Sequence, residues 1–99
     1  MIQNFRTYDL ALKFYRRLPN IEAPAHLKDQ LLRAGSSIVL NLAEGSGKPT
    51  TKDQRRFYAN AFGSTREVQA IADILNLTGP ITDDLDHLAA SIYKLVYKP

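Results

Sequence analysis

The sequence predicts an all-α chain, an antiparallel up-down-up-down four-helix bundle. Apolar residues recur at steps of three and four along four segments, as one face of a helix requires. Proline and glycine fall between those segments. No stretch of useful length alternates apolar and polar with period two, so no sheet is expected.

The first segment spans residues 5–18, with Phe5, Tyr8, Leu12 and Tyr15 as its stripe. Pro19 and Pro24 bracket the connection that follows. The second covers 26–45, with Leu27, Leu31, Ala34, Ile38 and Leu42 facing the core. Gly45, Gly47 and Pro49 mark the next link. The third covers 51–78 through Phe57, Ala61, Ser64, Val68, Ile71, Leu75 and Thr78. Thr51 and Gln54 have capping-box spacing at its start, and Gly79 supplies a stop. The fourth covers 83–98, with Leu85, Leu88, Ile92 and Leu95. Thr82 precedes Asp83 and Asp84, whose charges suit a helix N-terminus, and Lys94 and Lys98 suit its C-terminus. Short links between long helices favour antiparallel neighbours.

Ninety-nine residues allow one domain, 1–99, with a modest core. A hydrophobic fraction of 44% argues against disorder. Gly35 and Gly63 lie inside helices, which costs roughly 1 kcal/mol relative to alanine. A close approach of the second and third helices would compensate. Leu10, Phe14, Leu32, Val39, Tyr58, Phe62, Ile74, Leu77, Tyr93 and Tyr97 lie off the main stripes. They imply either a wide core or a second buried surface in a homo-oligomer. The first residues carry no apolar signal core, and no apolar run reaches membrane-spanning length, so a cytoplasmic protein without membrane association is expected. Lack of cysteine excludes disulfides and thiolate metal sites.

Charge divides unevenly along the chain. Residues 1–66 hold eleven Lys and Arg against five acids, whereas 67–99 hold two against five. Lys48, Lys52, Arg55 and Arg56 cluster at the second link and the start of the third helix. Lys13, Arg16 and Arg17 form another cluster on the first helix. Arginine forks suit phosphate, and Tyr58 would stack on a base if exposed. Both clusters are candidate nucleic-acid contacts, or simply solvated faces. Asn41 sits beside the apolar stripe of the second helix and needs a hydrogen-bond partner. One reading is a buried polar network of Arg33, Asn41, Glu44, Arg66 and Glu67, in which Arg33 or Arg66 satisfies Glu44. The other is a ligand or partner site.

No enzyme, cofactor or metal centre is expected. The stretch Gly45-Ser46-Gly47-Lys48-Pro49 imitates a phosphate-binding P-loop, but Leu42 stands where the leading glycine belongs, and Pro49 where a magnesium-binding hydroxyl belongs. A phosphate beside Lys48 and Lys52 at the next helix N-terminus would be generic anion binding. His26 and His87 are far apart in sequence, and Asp83 with His87 makes two ligands at most on one exposed face. No motif orders a serine with a histidine.

The run Ser37-Ile38-Val39-Leu40-Asn41-Leu42-Ala43-Glu44-Gly45 resembles the S-x-x-x-N-I-A-E-G of the four-helix-bundle proteins encoded in intervening sequences of bacterial 23S rRNA genes. Gln30-Leu31-Leu32-Arg33-Ala34 is similar to that family's Q-I-R-R-A, and Gly63-Ser64-Thr65-Arg66-Glu67 to its G-S-x-x-E. Tyr8-Asp9-Leu10-Ala11 resembles its D-L-x-x-W opening, without the tryptophan. The resemblance implies an antiparallel bundle assembled as a homopentamer. It also implies a fold shared with the accessory variability proteins of diversity-generating retroelements, basic pentamers that bind a reverse transcriptase and its template RNA. It transfers no catalytic residues. The function expected is a non-enzymatic RNA-binding accessory module. The alternative is a scaffold that docks a protein such as a reverse transcriptase.

Overall fold

The computed structural model describes residues 2–98. It contains α1 (Arg6–Arg17), a 3-10 turn (Leu18–Asn20), α2 (Ala25–Ser46), α3 (Thr51–Ile74) and α4 (Pro80–Tyr97). Each helix packs along its two chain neighbours, and α4 closes back on α1, while the diagonal pairs α1–α3 and α2–α4 stay apart along their backbones. This is the antiparallel up-down-up-down bundle, with extents of 40 × 23 × 20 Å. No helix among the described residues is long and apolar enough to cross a membrane.

The boundaries follow local chemistry. Pro19 offers no N–H, so α1 tightens into the 3-10 turn. Lys28 then reaches back and donates to the Pro19 and Ile21 carbonyls, holding the turn against α2. The cap of α3 is Thr50 rather than Thr51: its hydroxyl accepts from the Asp53 amide at 3.2 Å. Gln54 closes no capping box and donates instead to the Lys48 carbonyl at 3.0 Å. Asn76, with φ 56°, ends α3 four residues earlier than the periodicity predicts. The Asn76 amide bonds the Asp73 carbonyl and the Leu77 amide bonds the Ala72 carbonyl, the paired bonds of a Schellman motif. Gly79, expected as that stop, is instead the N-cap of α4, with φ 88°. Pro80 occupies the first turn, where a missing N–H costs nothing, so α4 begins three residues before Asp83.

The core on α2 is the expected line Leu31, Ala34, Ile38 and Leu42. On α4 it is Leu85, Leu88, Ile92 and Val96. Fully burying each large aliphatic side chain is worth about 1.5–3 kcal/mol. On α1 the predicted stripe is one step off. Thr7, Ala11 and Phe14 are buried, with Leu18 just beyond, while Tyr8, Leu12 and Tyr15 flank them half-buried. A hydroxyl explains the miss: Thr7 is in the interior because its Oγ1 pairs with Ser91 Oγ on α4 at 2.6 Å. Of the off-stripe residues, Phe14, Val39 and Tyr58 join the core and Leu10, Leu32, Phe62 and Leu77 pack against it. Ile74, Tyr93 and Tyr97 remain exposed, together with Leu40.

The glycines act differently from expectation. Gly35 admits α1 and the turn after it, since a Cβ there would stand 2.5 Å from Leu18 Cδ1 and 3.1 Å from Tyr15 Cδ1. Gly63 is exposed, with nothing within 4 Å of where a Cβ would be. The close approach of α2 to α3 occurs at Gly45, which lies on α2 and meets Tyr58 and Phe57.

Candidate nucleic-acid interface

Antiparallel topology brings the C-terminus of α2, the N-terminus of α3 and the C-terminus of α4 to one end of the bundle. Lys48, Lys52, Arg55 and Arg56 meet Lys94 and Lys98 there, with Glu44 and Asp53 as the nearby acids. The first four divide by what they touch. Arg55 Nε donates to the Val96 carbonyl at 2.9 Å, satisfying one of the last open acceptors of α4. Lys48 Nζ lies 4.9 Å, and Arg56 Cζ 4.7 Å, from the Phe57 ring centroid. The two cations are thereby seated on an aromatic face, and among the described residues no acid forms an ion pair with them. Lys52 is exposed. Lys52, Arg55 and Arg56 border an open groove with Asp53, Ala59 and Val96.

The second cluster sits at the opposite end. Lys13, Arg16 and Arg17 are exposed on α1, beside the N-terminus of α4. Arg17 forms an ion pair with Asp84, and Lys13 and Arg17 share a cleft with Leu10, Phe14, Asp84 and His87. Asp73, Asp83 and Asp86 add negative charge at this end. The two basic clusters therefore form no continuous surface, and the one on α1 is partly neutralised.

Asn41 is hydrogen-bonded, but to different partners than expected. Its Nδ2 donates to the Ser37 carbonyl at 2.9 Å and to Ser37 Oγ at 3.1 Å, and Ser37 Oγ pairs with Ser64 Oγ on α3 at 2.8 Å. The α2–α3 seam is pinned by hydroxyls, not by charges. Arg33, Glu44, Arg66 and Glu67 are all exposed. Arg66 donates to Gln69 Oε1 at 2.9 Å, and among the described residues Glu44 pairs with neither Arg33 nor Arg66. A carboxylate that keeps its water gains little from such a pair, so exposure removes the need for it.

Tyr58 is 8% exposed and cannot stack on a base. Burial pushes its phenol above the ordinary value. The aromatics that do face solvent are Tyr93 at 44% and Tyr97 at 57%, both on α4. Their ring centroids lie 4.7 Å apart, and Phe62 on α3 stands 5.9 Å from Tyr93 and 6.3 Å from Tyr97. Sequence reading placed these three only among surplus apolar residues. Their spacing, Tyr93 and Tyr97 four apart on one helix face, was the available signal. Between α1 and α4, His87 Nε2 lies 3.3 Å from Arg6 Nη2, and no three metal-ligating side chains gather among the described residues.

The features together define a small antiparallel four-helix bundle with one cation-rich end and an aromatic cluster beside it. The chain belongs to the 23S rRNA-intervening sequence protein family, whose sequence model matches residues 5–98. No curated protein and no solved structure gives a significant match.

Proposed function

We propose that this chain is a non-enzymatic RNA-binding accessory module, cytoplasmic and working as a homo-oligomer. The observation that carries the reading is the gathering of Lys48, Lys52 and Arg56 at one end, with their charges uncompensated by ion pairs among the described residues. Such a surface suits a polyanion, and bound phosphates would release condensed counterions. Membership of the family is compatible with RNA as that polyanion. A pentamer, which the family resemblance implies, would repeat the patch around a ring and strengthen weak contacts.

Filter binding to structured RNA across a salt series tests the reading. Affinity should fall steeply with salt. Replacing Lys48, Lys52 and Arg56 with alanine should flatten the slope of log K against log salt by roughly 2–3. No binding at low salt by the unaltered protein overturns the reading. Light scattering that returns the 11.1 kDa monomer at micromolar concentration overturns the oligomer.

A second reading is a protein-docking scaffold for a partner such as a reverse transcriptase. Leu40 at 66% and Ile74 at 62% are the exposed large aliphatic side chains that the apolar centre of such an interface would contact. Retention of a co-expressed reverse transcriptase, lost on Leu40→Asp or Ile74→Asp, would support this reading over the first.

A further inference from the structure

We infer that Phe62, Tyr93 and Tyr97 form a stacking platform for unpaired bases, so that the RNA taken by this surface is single-stranded. The inference rests on the RNA-binding reading above and narrows its ligand. Phe62 is half-buried and packs against the core, forming the floor of a shallow groove. Tyr93 lines the groove, Tyr97 lies beside it with ring centroids 4.7 Å apart, and both residues are exposed. Ala89 and Ala90 continue the groove without side chains tall enough to block it. Lys94 and Lys98 line it, and among the described residues no acidic side chain does.

The cations of α3 adjoin this platform. Arg55 holds the carbonyl of Val96, one residue from Tyr97, which brings the groove of Lys52, Arg55 and Arg56, with Asp53 as its one acid among the described residues, beside the aromatic cluster. Exposed π-faces flanked by a cationic track are the two components of sequence-tolerant single-strand recognition: phosphates follow the cations and bases lie on the rings. A duplex offers no free base face to the tyrosines. Two-fold pairing of this patch with itself would bring the lysines of one copy towards those of the other, which like charge disfavours, whereas its burial against a different face of a neighbour in a ring is read by the light scattering below. The first acid along the α4 row, Asp86, borders a different groove with Arg66.

The test compares a short oligouridylate with a blunt RNA duplex of equal length, read by fluorescence anisotropy. The unaltered protein should prefer the oligouridylate. Tyr93→Ala with Tyr97→Ala should weaken that complex on the order of tenfold or more while leaving its salt slope unchanged. Tyr93→Phe with Tyr97→Phe should retain binding. If the alanine pair loses its helical circular dichroism, Tyr93→Leu with Tyr97→Leu, which keeps apolar bulk but no ring, decides instead. Equal or better binding of the duplex overturns the platform, as do tyrosine variants that bind like the unaltered protein. In either case salt-dependent RNA binding itself would stand. Failure of the unaltered protein to bind either probe overturns the platform, and the RNA-binding reading then stands or falls by the filter assay with structured RNA. A lower mass of the alanine or leucine pair in light scattering assigns the face to a second copy and overturns the platform.

Discussion

Gly45 lies directly against the ring of Tyr58: a Cβ at position 45 would sit 2.6 Å from Cε1 and 2.9 Å from Cδ1. The ring has little room to retreat, being buried and 5.9 Å from the Phe5 ring. Gly45→Ala should therefore overpack the seam. Relief of about 1 kcal/mol from better helix propensity offsets only part of an overpacking cost of about 1–3 kcal/mol. Gly63→Ala, with open space around it, should instead stabilise by up to about 1 kcal/mol. Urea melts of the two variants should move in opposite directions.

Asn76 holds the left-handed turn that ends α3. A β-branched side chain tolerates that backbone poorly, so Asn76→Val should cost about 1–2 kcal/mol. Asn76→Gly should leave stability unchanged or raise it. Thermal melts of the pair check this, and a valine variant as stable as the unaltered protein would contradict the Schellman assignment.

The raised Tyr58 phenol makes a pH prediction. Burial favours the neutral form, so the folded value lies above the unfolded value of about 10. Its contribution to stability is complete below pH 10 and is lost as pH climbs through the folded value. Above pH 10 the unaltered protein should lose stability more steeply than Tyr58→Phe, measured by denaturant melts at neutral and alkaline pH.

Arg55 and Lys52 are near neighbours with different duties. Arg55→Ala removes a hydrogen bond to the end of α4 and should cost about 1 kcal/mol. Lys52→Ala removes an exposed charge and should stay within roughly 0.5 kcal/mol. Calorimetry separates them, and equal melting temperatures would deny the α3–α4 tie.

Periodicity made the four helices legible because burial on a helix repeats at steps of three and four. Local stops were harder. Asn76 was passed over in favour of Gly79 because glycine is the commoner left-handed residue, although asparagine tolerates the same backbone. The α1 register was misread for a related reason: Thr7 looks polar in sequence, and only its partner Ser91, 84 positions away, makes it an interior residue. Asn41 was recognised as needing a partner, yet the sequence favoured charges where two serines serve. The cluster of Lys48, Lys52, Arg55 and Arg56 was visible because it is contiguous. The platform was not, since Phe62 and Tyr97 become neighbours only when α3 and α4 fold together.

The separation of charge along the bundle makes the molecule an electric dipole. Cations crowd the end of Lys48, Lys52 and Arg56, whereas at the other end the aspartates offset Lys13, Arg16 and Arg17. At physiological ionic strength, fields decay over about 8 Å, a fraction of the 40 Å length. An approaching polyanion would therefore sense the near end almost alone, and the net charge of +3 understates the pull it would feel. The encounter is oriented before contact, with the bundle turned end-on and its charge-balanced end trailing. In a ring of such subunits with their axes aligned, one rim would draw nucleic acid more strongly than the other.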